Sequence, residues 1–216
     1  MTYPFVFDEF KTIAKVAEGY CLARLGDGEL KIAYGAGYVR EPANQKLSRE
    51  MMRVLEHTDP RCIVGIPTME RRSPKYASWI RHAERFERIL PPDHDWYSSL
   101  VTRPDSAPWI FTKAYGEAVQ ALWAGKKVAV ICEAEGSMVR TVSKAAKSVQ
   151  HIICPRRESY AIIHDLERAA RRSKADIIIM SVGPTATCLA NRLARRGLHA
   201  VDLGSAGGFI AKALAL

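Results

Sequence analysis

Ile177-Ile178-Ile179-Met180-Ser181-Val182-Gly183-Pro184-Thr185 is the stretch that decides the fold. Four consecutive apolar residues, three of them β-branched, read as a buried strand. Gly183 and Pro184 turn the chain, and Thr185 opens a helix that runs to Arg196 with Leu189, Ala190 and Leu193 on its inner face. Gly197 follows where a left-handed cap is usual. A strand–glycine–helix junction aims free backbone N–H groups and the positive end of the helix dipole at whatever lies above it. A phosphate fits there, with Thr185 as an added hydroxyl donor, and so does a plain strand-to-helix turn. The stretch has neither the glycine spacing of the dinucleotide fingerprint nor the Gly-Lys-Ser/Thr ending of a P-loop.

Working outward, the same alternation fills the chain. Further strands are expected at Tyr20–Arg24, Cys62–Ile66, Trp96–Leu100, Val128–Cys132, His151–Cys154 and His199–Asp202. Several lack inward/outward alternation, as parallel strands covered on both faces do. Between them lie amphipathic stripes: Phe10, Ile13, Ala14 and Ala17; Leu47, Met51, Val54 and Leu55; Ala114, Ala118, Val119 and Leu122. The expected class is α/β, a mostly parallel, doubly wound sheet with helices on both faces, built as one domain over residues 1–216. Pro91-Pro92-Asp93 and the segment Arg103 to Pro108 read as loops, the second with room to move.

Of 216 residues 48% are apolar and 25% charged, which suits a packed globular core and excludes a disordered chain. The net charge of +9 suits a phosphorylated or polyanionic partner, or an anionic membrane surface, without choosing among them. Most of the basic residues, such as Arg168, Arg171 and Arg172, read as solvated helix faces. Five scattered cysteines, with no Cys-x-x-Cys pair, argue against a disulfide framework and a zinc site. Reduced thiols, no signal-like N-terminus and no membrane-length apolar run point to a cytoplasmic protein without a transmembrane segment.

Strand ends are where an open α/β sheet holds its ligands, so acidic and glycine-rich segments there carry the chemistry. Arg24-Leu25-Gly26-Asp27-Gly28-Glu29 follows the first expected strand and sets two carboxylates one residue apart between glycines. Such a pair can hold a hard divalent cation through oxygen ligands; a solvent-exposed turn has the same composition. Gly65-Ile66-Pro67-Thr68, with Arg71, Arg72 and Lys75 beyond, can line the same crevice or form a solvated charge cluster. Glu133 and Glu135, past the strand ending at Cys132, are candidates for a general base or for surface acids. Asp202, before Leu203-Gly204-Ser205, is a similar case.

Taken in order, these segments resemble the GT-D-fold glycosyltransferases, a bacterial family first described as a domain of unknown function. The resemblance rests on Arg24 to Glu29, Gln45 to Leu55, Gly65-Ile66-Pro67, Thr102-Arg103-Pro104, Trp123 to Val128, Ile152 to Pro155, Gly183 to Thr185 and Asp202-Leu203-Gly204. It implies a Rossmann-like sheet and transfer of a hexose from a nucleotide diphosphate sugar, expected to be UDP-linked, to a glycan or glycoprotein acceptor, with Mn2+ or Mg2+ as cofactor. Asp27 and Glu29 would serve the metal and diphosphate as the family's Asp-x-Glu motif. Arg24, Gly26, Gly28, Gly65, Pro67, Arg103, Gly183, Pro184, Thr185 and Asp202 would contribute to substrate binding. Nucleic acid is not an expected partner, peripheral membrane contact stays open, and so does the oligomeric state. The chain departs from the family pattern at Ser205-Ala206, where a histidine is expected, and at Glu158-Ser159, where an Asn-Ala pair is common. Rival readings are a metal-dependent phosphohydrolase or phosphotransferase and a basic nucleic-acid-binding module.

Overall fold

The computed structural model describes residues 3–134 and 136–215. Eight strands form one sheet: β1 (Val6–Phe7), β2 (Cys21–Arg24), β3 (Cys62–Ile66), β4 (Trp96–Ser98), β5 (Lys127–Cys132), β6 (Ser148–Ile153), β7 (Ile177–Ser181) and β8 (Ala200–Asp202). Their order is β1-β4-β3-β2-β8-β7-β5-β6, and every neighbouring pair is parallel. All seven expected strands are present. The eighth, β1, is a two-residue edge strand beside Trp96 and Tyr97, too short to show any periodicity. The strand expected over 96–100 stops at Ser98, because the Ser98 hydroxyl accepts the Leu100 N–H and turns the chain into a 3-10 helix at Ser99–Thr102.

Nine α-helices are described: α1 (Glu9–Ala17), α2 (Asp27–Ala33), α3 (Gln45–Glu56), α4 (Tyr76–Glu87), α5 (Lys113–Ala121), α6 (Ser137–Val142), α7 (Ile163–Ser173), α8 (Thr185–Ala194) and α9 (Gly207–Ala213). Successive side chains of a strand point to opposite faces, and the core divides accordingly. Cys21, Ala23, Ile178 and Met180 join the layer packed by α2, α3, α7 and α8. Leu22, Ile177, Ile179 and Val201 join the layer packed by α1, α5, α6 and α9. The sheet is thus Rossmann-like and covered on both faces.

Helix α8 is the keystone of the first layer, with every residue but Arg192 buried. Its end matches the expected cap, since Gly197 has φ +75° and its N–H reaches the Ala194 carbonyl. Two stripes are rotated from expectation. In α1, Phe10, Ala14 and Ala17 are exposed, and the buried face is Glu9, Thr12, Ile13 and Val16. The Glu9 carboxylate accepts the Ser98 hydroxyl at 2.8 Å, and Thr12 accepts the Ser98 N–H, so polar partners turn a polar face inward. In α5, Ala114 is exposed while Tyr115, Gly116 and Val119 are buried, because Tyr115 carries far more apolar surface and its hydroxyl has the Val101 carbonyl to donate to.

The 103–108 segment, expected as a loop, is packed down: Ser106 and Ala107 are buried and the Ser73 hydroxyl donates to the Ser106 carbonyl at 2.6 Å. All five cysteines are buried free thiols. Among the described residues no helix is long and apolar enough to cross a membrane.

The topology fixes where a ligand can enter. From β2 the sheet runs outward through β3 and β4 on one side and through β8, β7 and β5 on the other. The reversal between β2 and β8 is a switch point, and the crevice beyond the carboxyl ends of these strands is the place such sheets use.

Candidate active site

The carboxyl ends of β2, β7 and β8 and the loops around them line one open cleft. It is walled by Gly26, Asp27 and Glu29 from the β2–α2 turn, Tyr38 and Arg40 from the 34–44 loop, and Gly183 and Pro184 from the β7–α8 turn. Arg24, Arg103, Gly204 and Ser205 also face it.

The β2–α2 turn is held from three directions. The Leu25 N–H donates to the Gly65 carbonyl at 2.7 Å, and the Thr187 hydroxyl of α8 donates to the Arg24 carbonyl at 2.7 Å. Gly28 is buried beneath the Tyr38 ring, which would lie 2.7 Å from a side-chain carbon placed there. Asp27 thereby becomes the first residue of α2, half-exposed to the cleft, with Lys31 3.7 Å away one turn on.

Glu29 sits at the third helical position and bends back, so that its Oε2 accepts the Gly26 N–H at 2.8 Å. That contact is the acidic half of a capping box, and it gives Glu29 a structural duty besides any ligand role. Burial pushes its carboxyl above the ordinary glutamate range; bonds from backbone N–H groups pull the other way.

Arg24 does not project freely. Its Nε donates to the Asp202 carbonyl at 2.8 Å, Nη2 to Asp202 Oδ1 at 3.0 Å, and Nη1 to the Ser99 carbonyl at 3.3 Å. Asp202 also accepts the Gly204 N–H at 2.9 Å and is buried. Burial raises its carboxyl, and Arg24 opposes that rise. Gly204 has φ +50°, and a Cβ there would stand 2.3 Å from Arg24 Nη2, so only glycine lets the guanidinium lie flat on this turn. Arg103 is clamped in the same manner, bidentate to Asp105 at 2.8 and 2.7 Å.

Gly183 turns the chain at φ +60°, a conformation that favours glycine, and leads into Pro184 at the helix cap. Thr185 faces away from the cleft: it is fully buried and its hydroxyl donates to Glu41 Oε1 at 2.9 Å. The hydroxyl donor expected for a phosphate is therefore used inside the protein. The α8 backbone at Gly183 and Pro184 still borders the cleft.

Other expected residues lie elsewhere. Gly65 is buried against the Ser99 backbone, and Pro67 is buried with its carbonyl accepting the Tyr3 hydroxyl at 2.7 Å, so neither lines the cleft. Arg72 stacks over Trp109 at 4.2 Å and stays outside it. Glu133 is outside it too, half-buried and 3.6 Å from Arg156. Glu135 lies outside the described residues.

Trp79, Ser99 and Leu100 also line the cleft without having been singled out by the sequence, and the 34–44 loop brings three more residues of that kind to the site: Tyr38, Arg40 and Glu41. The first two line the cleft, and Glu41 anchors their loop from beneath. Their only sequence signal is the Gly35-Ala36-Gly37 segment that precedes them, a turn cue without chemistry.

Whether the site suits a divalent ion can be tested on its donors. Among the described residues no three His, Cys, Asp or Glu side chains converge as a complete ligand set. Asp27 and Glu29 offer two carboxylates, one of them already shared with Gly26. Magnesium-type ions are bound this way, through one or two carboxylates completed by water and substrate phosphates. The donors fit an ion that arrives with a diphosphate.

A second cleft, at the far end of α8, gathers Arg53, Arg192, Arg195 and Arg196. Its charges are largely spent: Arg192 pairs with Glu50, Arg196 with Glu167 at 3.1 Å, and Arg195 donates to the His57 carbonyl at 3.0 Å.

Known proteins share this fold. The family described as glycosyltransferase GT-D fold matches residues 22–207, a span holding every residue of the cleft. The chain is 25% identical over 201 residues to glycosyltransferase GlyD of Streptococcus pneumoniae, covering 85% of this chain and 24% of that protein. It is 26% identical over 212 residues to a probable glycosyl transferase Gly of Streptococcus gordonii, covering 87% and 30%. The chain thus spans less than a third of the length of these curated relatives. In structure it is similar to a domain of unknown function 1792 described as having a distinct glycosyltransferase fold. That match has TM-score 0.86 and 22% identity, and covers 97% of this chain and 81% of the other. A glycosyltransferase of the same domain type from Streptococcus sanguinis gives TM-score 0.81 at 22% identity, covering 97% and 87%. With a family match over most of its length and the matching fold, the chain belongs to the glycosyltransferase GT-D fold family.

Proposed function

We propose that the protein transfers a hexose from a nucleotide diphosphate sugar to a glycan or glycoprotein acceptor, with the donor diphosphate lying in the cleft between Asp27 and the Gly183–Pro184 turn. One observation carries the reading. The switch-point cleft joins two acids, a helix N-terminus and several guanidinium groups in a space open to solvent. The helix end suits an anionic phosphate, while Asp27 and Glu29 suit a cation brought with it. A bound Mn2+ or Mg2+ would supply Lewis-acid neutralisation of the leaving diphosphate. The chain's own residues hold and orient: Asp27 and Glu29 set the acidic wall, Gly183 and Pro184 let phosphate oxygens approach the α8 backbone closely, and Tyr38 closes the side above Gly28. A uridine base is the proposed nucleoside. The free thiols are consistent with work in a reducing, cytoplasmic compartment.

A thermal-shift panel of nucleoside diphosphates and their sugars tests this, because a ligand that binds only the folded state raises its melting temperature. UDP with Mn2+ is expected to raise the midpoint well beyond either added alone, since neither completes the site. Stabilisation by single-stranded DNA or RNA without any response to nucleotide sugars would contradict the proposal. So would phosphate release without sugar transfer.

A further inference from the structure

The 34–44 loop carries an arrangement that the Asp27–Glu29 motif does not explain. Tyr38 and Glu41 pair through their backbones at 2.7 and 3.0 Å, forming a tight hairpin with Val39 and Arg40 at its tip. Val39 is 72% exposed, so the hairpin is not held by burying its tip. It is held by Glu41. This carboxylate is 2% exposed and meets no cation among the described residues. Its Oε1 accepts the Ser159 hydroxyl at 2.9 Å, the Tyr160 N–H at 3.1 Å and the Thr185 hydroxyl at 2.9 Å. The Arg40 carbonyl accepts the Glu158 N–H at 2.8 Å, tying the tip to the same segment.

A buried acid is costly unless its hydrogen bonds are satisfied. Here three of them reach Oε1, from the first residue of α8 and from the segment that packs on it. The hairpin is therefore fixed to the helix end that borders the cleft. Arg40 is what this fixing delivers. Its side chain lines the cleft, and its Cδ passes 3.6 Å from where a Cβ on Gly183 would stand. Arg24 is spent on Asp202 and Arg103 on Asp105, whereas Arg40 has no ion-pair partner among the described residues.

We propose that Arg40 is a diphosphate-binding residue of the cleft, and that Glu41 is the positioning residue that holds it over the Gly183–Pro184 turn. The proposal rests on the reading of the cleft as a nucleotide diphosphate site. Arginine suits the task because its planar fork meets phosphate oxygens at two points. Lining the same cleft as Asp27, it would take phosphate oxygens that a cation held by the acids leaves unpaired.

Calorimetric titration of UDP with Mn2+ into the wild type, Arg40→Met, Glu41→Gln and Glu41→Ala tests it, with uridine as the phosphate-free control. Arg40→Met keeps an apolar stem against Gly183 and is expected to weaken UDP binding about 10- to 100-fold, the size of a lost hydrogen bond to a charged group. Its unliganded melting temperature should be unchanged and its uridine response unaltered. Glu41→Ala should weaken UDP binding in the same direction, less than additively when combined with Arg40→Met, and Glu41→Gln should recover part of the loss. UDP affinity unchanged in Arg40→Met, while Asp27→Ala abolishes it, would overturn the proposal and leave the cleft assignment standing. Full additivity of the two changes would overturn the positioning role of Glu41. A wild type that binds no nucleoside diphosphate would overturn both.

Discussion

Arg24→Met is expected to destabilise the fold by about 3–5 kcal/mol, the cost of removing one partner of a buried ion pair. Asp202 is 3% exposed, and Arg24 supplies two of its contacts, one to the carboxylate and one to its carbonyl. Without the guanidinium a buried carboxylate is left with backbone N–H donors such as that of Gly204 and no charge to oppose its own. The pH dependence follows from the direction of the Asp202 shift. Burial already holds this carboxyl above its ordinary value, and loss of Arg24 removes the opposing effect. A group raised in the folded state contributes stability that is present below its unfolded value and is lost as pH rises through the folded one. The deficit of Arg24→Met should therefore be smaller near pH 5 than near pH 7. Urea unfolding at both pH values checks this. The double variant Arg24→Met/Asp202→Asn should regain much of the loss at pH 7, since no charge remains buried. A deficit independent of pH would show that packing, not the carboxylate, sets the cost.

The second large effect is on turnover. Asp27→Asn and Glu29→Gln are each expected to lower the sugar-transfer rate about 100-fold or more, matching several kcal/mol of charge stabilisation at the leaving diphosphate. The choice of amides matters. Glu29 caps its own helix through the Gly26 N–H, and a glutamine keeps an acceptor oxygen there, so the fold should be spared. Glu29→Ala would also lose the cap, at about 0.5–2 kcal/mol, and would mix stability with catalysis. Glu29 gives a pH signature as well. Its carboxyl is raised by burial, so a proton competes for it above the usual glutamate range. Cation-assisted UDP affinity in the wild type should fall as pH drops toward that raised value, and Glu29→Gln should flatten the fall. Turnover and affinity measured across pH for both variants provide the check.

Much of the fold was legible because parallel strands covered on both faces must be apolar nearly throughout. Runs such as Ile177 to Met180 and Val128 to Cys132 announce themselves without any knowledge of their neighbours. Helix faces were less legible where the buried side is polar. Glu9 and Thr12 point inward because Ser98, 89 and 86 residues away, satisfies them, and no local pattern contains that fact. The site divides along the same line. The acids at Asp27 and Glu29 stand in a contiguous motif just past a strand, so the topology alone aims them at the cleft. Arg40 and Glu41 reach it only through Ser159 and Thr185, 118 and 144 positions from Glu41. Thr185 reads as a ligand in sequence and is an anchor in the structure, because the nearest acceptor for its hydroxyl lies inside. The Ser159 departure from the family pattern finds a use here, as a donor to Glu41. Ser205 lines the cleft where the pattern expects histidine, and nothing in the structure explains that change.

The proposed place of the nucleotide diphosphate is the β2–β8 switch point. A crystal structure of the protein soaked with UDP and Mn2+ tests it most directly. Diphosphate density is expected between Asp27 and the Gly183–Pro184 turn. Nucleotide bound instead in the arginine-lined cleft at the far end of α8 would contradict it.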